Sequence, residues 1–487
     1  MNKVLLGGLT LGVGGVLCVA VAELRFTWLV AVATLALLAW ILGRIHVGLA
    51  LLLVYASLVG WLIRMVSVHQ AGPFGVAIDA LFVAMGLRLL WDVSHRRDVQ
   101  RLRSALTPLV LIFVGFQCLE AFNPASPHWA LGVTGLRHTL RALGFFLALY
   151  YLSDVRRIDT WCRWWLGTCA FVALYGMFQH YHGLLWQEMQ WLYEEGNAQT
   201  HILGGYVRIF STVGDAATFG FLMGMASLVW VAHALHDRGW RALMCVVAAV
   251  PFLYAMVLSY SRGPILAWCA GVVAMLVLTR RWFFLGLIAS VLGLIGVGAG
   301  LAPGVHPLLD RVRTASRPLE DASFMVRVNY LSTHLADIVN RPFGHGLNTS
   351  GGGATKWVDP LSARRSVVGV PTDNYYFKIA LELGWVGLLL WLVLQGRILQ
   401  VAWVVYRRGP PSVLSGWVAG LFGVWVAVAV GAVSNDYPIQ KPIAEFLWLS
   451  LGVLGHLHAT HGVMVDRIAG GARPRNAKHE NHVNRVR

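Results

Sequence analysis

The sequence predicts an all-α, polytopic membrane protein with about 12–14 transmembrane helices. Three observations predict it. Hydrophobic residues make up 57% of the 487 and charged residues 13%, with a mean hydropathy of +0.63 and 21 tryptophans. Soluble domains are not composed this way. Apolar runs of about 17–22 residues, enough to cross a bilayer as helix, recur along the whole chain. Late in the chain a polar stretch of about 70 residues, 303–372, interrupts them. An enzyme working at a membrane face needs such a segment to hold substrate, whereas a channel or carrier rarely sets one large Arg- and Gly-rich segment between its later spans.

The expected spans lie near 4–22, 26–43, 46–63, 74–91, 105–120, 137–153, 161–180, 216–233, 242–258, 264–279, 283–301, 376–396, 414–434 and 442–458. Lys3 with the run ending Ala20-Val21-Ala22 also fits a cleavable signal peptide, and cleavage there leaves every later orientation unchanged. Positive loops stay cytoplasmic. Such loops hold Arg96, Arg97, Arg101 and Arg103, then the pairs Arg156 and Arg157, Arg238 and Arg241, Arg280 and Arg281, and Arg407 and Arg408. They recur at every second crossing and place both termini in the cytoplasm. The formal charge of +16 is therefore mostly topology signal plus a basic tail, and no continuous basic face for nucleic acid follows. The expected organisation is one transmembrane domain, 1–460, containing a partly helical external loop, 303–375, with a disordered tail, 461–487. All six cysteines fall within or at the ends of spans, so neither a disulfide framework nor a zinc site is expected.

Three segments on the outer face, 121–136, 181–215 and 303–375, carry polar groups that the cytoplasmic loops lack. The first leads to Arg137 and Arg141, four apart and so on one helical face, where an anionic partner or a wet cavity is expected unless they snorkel to lipid. The second contains Glu188, Glu194 and Glu195 among Trp186, Trp191 and Tyr193, which read as an interfacial amphipathic helix. It then places Arg208 before a span, with Ser211, Thr212 and Asp215 as candidate caps. Arg262 lies in the short turn SYSRGP, where Ser261 and Gly263 allow backbone N–H groups and a guanidinium to face one anion. In the third, helical spacing of Phe324, Val328, Leu331, Leu335 and Ile338 predicts a helix over 322–339 that carries Arg327. It breaks at RPFGHGLNTSGGG, which holds Arg341 and His345 and whose Gly351-Gly352-Gly353 run is a candidate for mobility. Asp373 and Asn374 then open the next helix, with an N-cap as the plain reading of Asp373.

In order, VRIFSTVGDAATFG, SYSRGPILA, RPFGHGLN and DNYYFKIALELGWVG resemble the O-antigen ligase and Wzy-type polymerase superfamily over roughly residues 130–460. The resemblance implies a GT-C-like membrane glycosyltransferase at the periplasmic face of the bacterial inner membrane, drawing on glycan carried by undecaprenyl pyrophosphate. It implies neither cofactor nor metal, and the chain indeed contains no Asp-x-Asp. Arg208 and Arg262 match the positions that hold the pyrophosphate, with Arg137, Arg141, Arg327 and Arg341 as helpers. Superfamily ligases usually show His-Asn where this chain has Asp373-Asn374. That departure favours a repeat-unit polymerase in which Asp373 is the base toward the acceptor hydroxyl, Asn374 binds substrate, and His345 is a substitute base. The alternative is a ligase delivering glycan to lipid A-core or protein. A flippase or other carrier is a third reading, weakened by the lack of an internal repeat. The expected partners are the lipid-linked donor, a glycan acceptor, membrane lipids, a chain-length regulator and a flippase.

Overall fold

The computed structural model describes residues 40–65, 72–193, 197–203, 205–283, 322–351, 353–358, 367–370, 372–409 and 414–471. The expected span at 4–22, all but Phe283 of that at 283–301, most of 26–43, Glu194, Glu195, Gly352 and the tail beyond 471 lie outside these residues. The described chain is helical almost throughout. Its longer helices are α1 (Ile45–Met65), α2 (Gly72–Arg96), α3 (Thr107–Glu120), α4 (Trp129–Thr139), α5 (Leu143–Tyr151), α6 (Val155–His182), α7 (Trp186–Tyr193) and α8 (Ala216–His236). They continue as α9 (Trp240–Leu258), α10 (Arg262–Leu278), α11 (Ala322–Asn340), α12 (Tyr375–Glu382), α13 (Gly384–Arg408), α14 (Leu414–Gly431) and α15 (Ile443–Gly471). A single short antiparallel pair, β1 (Ile202–Leu203) and β2 (Tyr206–Val207), is described, in the register Ile202 to Val207 and Leu203 to Tyr206.

Six of these helices, α1, α2, α8, α9, α13 and α14, are long and apolar enough to cross a membrane, and α3 and α10 are shorter apolar helices. The protein is thus all-α and polytopic. The core forms around α8 and α14, which are apolar on every side and are the most enclosed of the six. Glycines let these helices close up: a Cβ on Gly271 would lie 2.7 Å from Gly423 O, and one on Gly420 would lie 3.1 Å from Val229 Cα. Small residues at helix crossings permit backbone approach where lipid offers no competing hydrophobic gain. At the periphery, α9 turns Leu243, Val246, Val247 and Val250 outward, the surface a helix presents to acyl chains.

Three expected elements differ in detail. The span at 137–153 is not one helix: a 3-10 turn, Leu140–Ala142, separates α4 from α5. The span at 376–396 breaks between α12 and α13, where Gly384 has φ +69. α15 runs to Gly471, past residue 460, through HGVMVDRIA, which holds no Gly or Pro between Gly462 and the closing Gly470-Gly471 pair.

Candidate functional site

The candidate site begins with Arg208. The β1–β2 hairpin turns through Gly205 at φ +82 and delivers Arg208, whose backbone N donates to His201 O at 2.8 Å. The guanidinium then bridges to the SYSRG turn. Its Nε donates to Ser259 O at 3.3 Å, Nη1 to Thr200 O at 2.9 Å and Nη2 to Ser261 Oγ at 2.5 Å. All three acceptors are neutral, so its charge is not cancelled within these bonds. Burial holds the group below the usual arginine range, and Asp215 offsets that in part. Ser261 precedes α10, making half-buried Arg262 the first helical residue. Two arginines from motifs 54 positions apart therefore share one turn.

Beneath the Arg208 loop lies a clamp that the sequence reading missed. Arg64, buried at the end of α1, donates through Nη1 to Val213 O at 2.7 Å and through Nη2 to Ser211 O. It also faces the rings of Phe210 and Trp191 at 4.7 and 5.3 Å. Ser211 N donates to Gln179 Oε1 at 2.8 Å, and Ser211 itself sits at φ +54, a conformation that these bonds enforce. Glu188 is not interfacial, contrary to expectation. It is wholly buried, accepting from Gln179 Nε2 at 2.8 Å, Tyr175 at 3.0 Å and Leu185 N at 3.1 Å. Trp186 and Tyr193 on the same helix are exposed, as an interfacial reading requires. Amphipathic spacing placed the helix correctly but could not show that α1 and α6 cover its acidic side.

Of the three candidate caps of α8, Asp215 alone serves: Oδ1 accepts from Thr218 N at 2.9 Å. Ser211 and Thr212 instead donate to Val172 O at 2.6 Å and Ser57 O at 2.8 Å. Thr218 donates onward to Gln440 Oε1, and Gln440 Nε2 donates to Asn435 Oδ1 at 3.1 Å and to Asp436. The segment 434–440 seats against the arginine turn, since a Cβ on Gly263 would collide with Ser434 Oγ and lie 3.4 Å from the Tyr437 hydroxyl. Burial pushes the Asp436 carboxyl up, and Lys378 and Gln440 restrain it.

Tyr375 N donates to Ala432 O at 2.8 Å, which seats the entrance of α12 two residues from Ser434. Asn374 caps α12, accepting from Tyr376 N at 3.0 Å and Phe377 N at 3.1 Å. Exposed Asp373 is therefore not the cap. Within α12, Lys378 Nζ contacts Glu382 Oε1 at 2.6 Å, and Ser350 donates to the same oxygen through Oγ at 2.5 Å and N at 3.1 Å. This buried trio ties the RPFGHG loop to the helix. Glycines complete the joint: a Cβ on Gly344 would lie 2.5 Å from Glu382 O, and one on Gly384 would collide with Pro342 O.

His345 lies on the other side of α12. Its Nε2 bonds Asp337 of α11, and Arg341 Nε meets the same carboxylate at 3.0 Å. Burial lowers the His345 pKa and Asp337 pulls it back up. Arg327 lies on α11, and its side chain falls outside the described residues. Arg137 and Arg141 diverge across the 3-10 turn. Arg137 Nε donates to Asp79 at 2.6 Å and remains half-exposed. Arg141 is buried, with Nε 3.0 Å from Glu445 Oε1 and Nη1 donating to Ile439 O. Beyond Arg64, sequence reasoning gave no role to Lys378, Asp436, Gln440 or Glu445, and Glu382 entered only as part of the motif DNYYFKIALELGWVG. Ionisable residues at the edges of apolar runs were the available signal.

Residues 244–392 match the family model described as O-Antigen ligase (Wzy_C). An O-antigen polymerase of Salmonella muenchen is 24% identical over 225 residues, 45% of this chain and 51% of that protein. The chain thus spans about half the length of this curated relative. The family match encloses Arg262, His345, Asp373 and Glu382, while Arg64, Arg208 and Asp436 lie outside it.

Proposed function

We propose that this chain, whose residues 244–392 match the O-antigen ligase family model and which is similar to an O-antigen polymerase, is a metal-independent membrane glycosyltransferase that polymerises undecaprenyl-pyrophosphate-linked repeat units at the periplasmic face of the inner membrane. The observation that carries this reading is the Arg208 Nη2 to Ser261 Oγ bond of 2.5 Å, which ties the Arg208 loop to the turn that leads into Arg262. Arg208 and Arg262 hold the donor pyrophosphate and stabilise the charge that builds as the bond from the anomeric carbon to phosphate oxygen breaks. The acceptor hydroxyl attacks that carbon and gives its proton to Asp373. One observation supports Asp373: the Tyr375–Ala432 bond seats its segment beside the arginine turn. His345, held by Asp337, is the substitute base in this reading.

The test is to incubate purified protein with a synthetic undecaprenyl-pyrophosphate repeat unit, without metal or nucleotide sugar, and to resolve products by gel and mass spectrometry. A ladder that disappears in Arg262→Ala and Asp373→Asn supports polymerisation. The description of the matched family favours a second reading, glycan transfer to lipid A-core or protein. Donor consumed only after lipid A-core or protein is added would establish that reading instead.

A further inference from the structure

Helix α11 shows three faces. Tyr330 and Ile338 pack onto Phe377 and Leu381 of α12, and Asp337 on this side of the helix holds Arg341 and His345. A second face is polar and exposed, formed by Asn329, Thr333 and Asn340. The third is apolar and also exposed: Val328 at 39%, Leu331 at 47%, Leu335 at 52% and Val339 at 63%. At 100° per residue these four side chains fall within about 80° of one another, and no ionisable group interrupts them. The stripe does not end with the helix. Phe343, 55% exposed, follows it and packs on Phe116 of α3 with ring centroids 6.4 Å apart. Leu119 and Phe122 are exposed beside it, and Leu389, Leu392 and Val393 of spanning helix α13 are exposed along its length. α11 also touches α13 directly.

The geometry points to a bilayer surface as the occupant of this stripe: α11 lies at the boundary of protein, water and lipid, with Val328, Leu331, Leu335 and Val339 set into phospholipid of the leaflet beside the candidate site. A wholly water-facing surface would place charge on this stripe. Here the ionisable side chains described on α11, His334 and Asp337, are half-buried, and the apolar stripe runs into the lipid-facing belt of α3 and α13. Because Asp337 belongs to the same helix, this seating fixes the carboxylate that orients His345. The inference does not depend on which glycan reaction the protein performs.

The test places p-benzoylphenylalanine at Leu335, at Leu331 as a second stripe position, and at Thr333 on the polar face. Each full-length protein is purified into nanodiscs of phosphatidylethanolamine and phosphatidylglycerol containing no isoprenoid lipid, irradiated, and read by mass. The expected result is a phospholipid adduct at 331 and 335, several-fold above that at 333. The inference is overturned by equal yields at all three positions, by no lipid adduct, by an adduct that forms only when undecaprenyl phosphate is added, or by a cross-link to a second copy of the chain.

Discussion

Arg208 Nη2 donates to Ser261 Oγ at 2.5 Å, joining the loop before α8 to the turn before α10. Neither residue alone defines a site. Together with Arg262 they place two guanidinium-bearing motifs on one turn whose other side is the 434–440 segment.

Arg208→Ala removes both a charge and the bridge to Thr200, Ser259 and Ser261. Turnover on a lipid-linked repeat unit is expected to fall by about 10²–10³, the typical loss when one charge-stabilising donor is deleted. Arg208→Lys keeps the charge but not the planar fork, so its loss should be smaller yet measurable. Wild-type turnover in Arg208→Ala would remove this residue from the mechanism.

Gly384→Ala and Gly396→Ala should act with opposite signs. Gly384 has φ +69, and a Cβ there meets Pro342 O, so destabilisation of at least about 1–3 kcal/mol is expected. Gly396 lies within α13 with nothing near its missing Cβ, so alanine should stabilise by about 0.5–1 kcal/mol. Thermal melting of the two detergent-solubilised variants distinguishes these outcomes.

Arg64 and Glu188 are expected to be strongly coupled. The two are linked through Ser211 and Gln179 rather than by direct contact, and each of Arg64→Met and Glu188→Gln should cost stability by removing one buried charge from the network. The double variant should recover part of that cost. Additive losses in a double-mutant cycle would show that the two charges act independently.

His345 makes stability depend on pH. Its folded-state pKa lies below the ordinary value of about 6.5, so between the two values the unfolded chain binds more protons and stability rises with pH. The contribution is complete above about 6.5 and is lost as pH falls toward the lowered pKa. Melting temperature should therefore decline on acidification, and His345→Gln should flatten the curve. An unchanged slope in the variant would assign the dependence to other groups.

What the sequence made legible was local. Helical spacing places 322–339 as helix, within one residue of the Ala322–Asn340 observed, because each turn reports on its own neighbours, and the ordered motifs include the turn at 259–263 and the glycines at 344 and 384. Long-range pairing was not legible. Glu188 resembles any interfacial glutamate until α1 and α6 are seen to cover it, and Gln440 meets Thr218 from 222 residues away. Arg137 and Arg141 are four apart, yet the intervening 3-10 turn sends them to Asp79 on α2 and Glu445 on α15. Asp373 and Asn374 are both competent caps, and only backbone geometry shows that Asn374 is the one used.

The Arg64 clamp also has a temporal side. The carbonyl of Val213 that it binds lies 149 residues further along the chain. At a synthesis rate of about 5–20 residues per second, the guanidinium emerges roughly 7–30 s before its partners exist. Through that interval α1 carries an unanswered positive charge at its end, so it cannot settle into its final packing as the ribosome releases it. The clamp on α1 can therefore close only once the middle of the chain has been made.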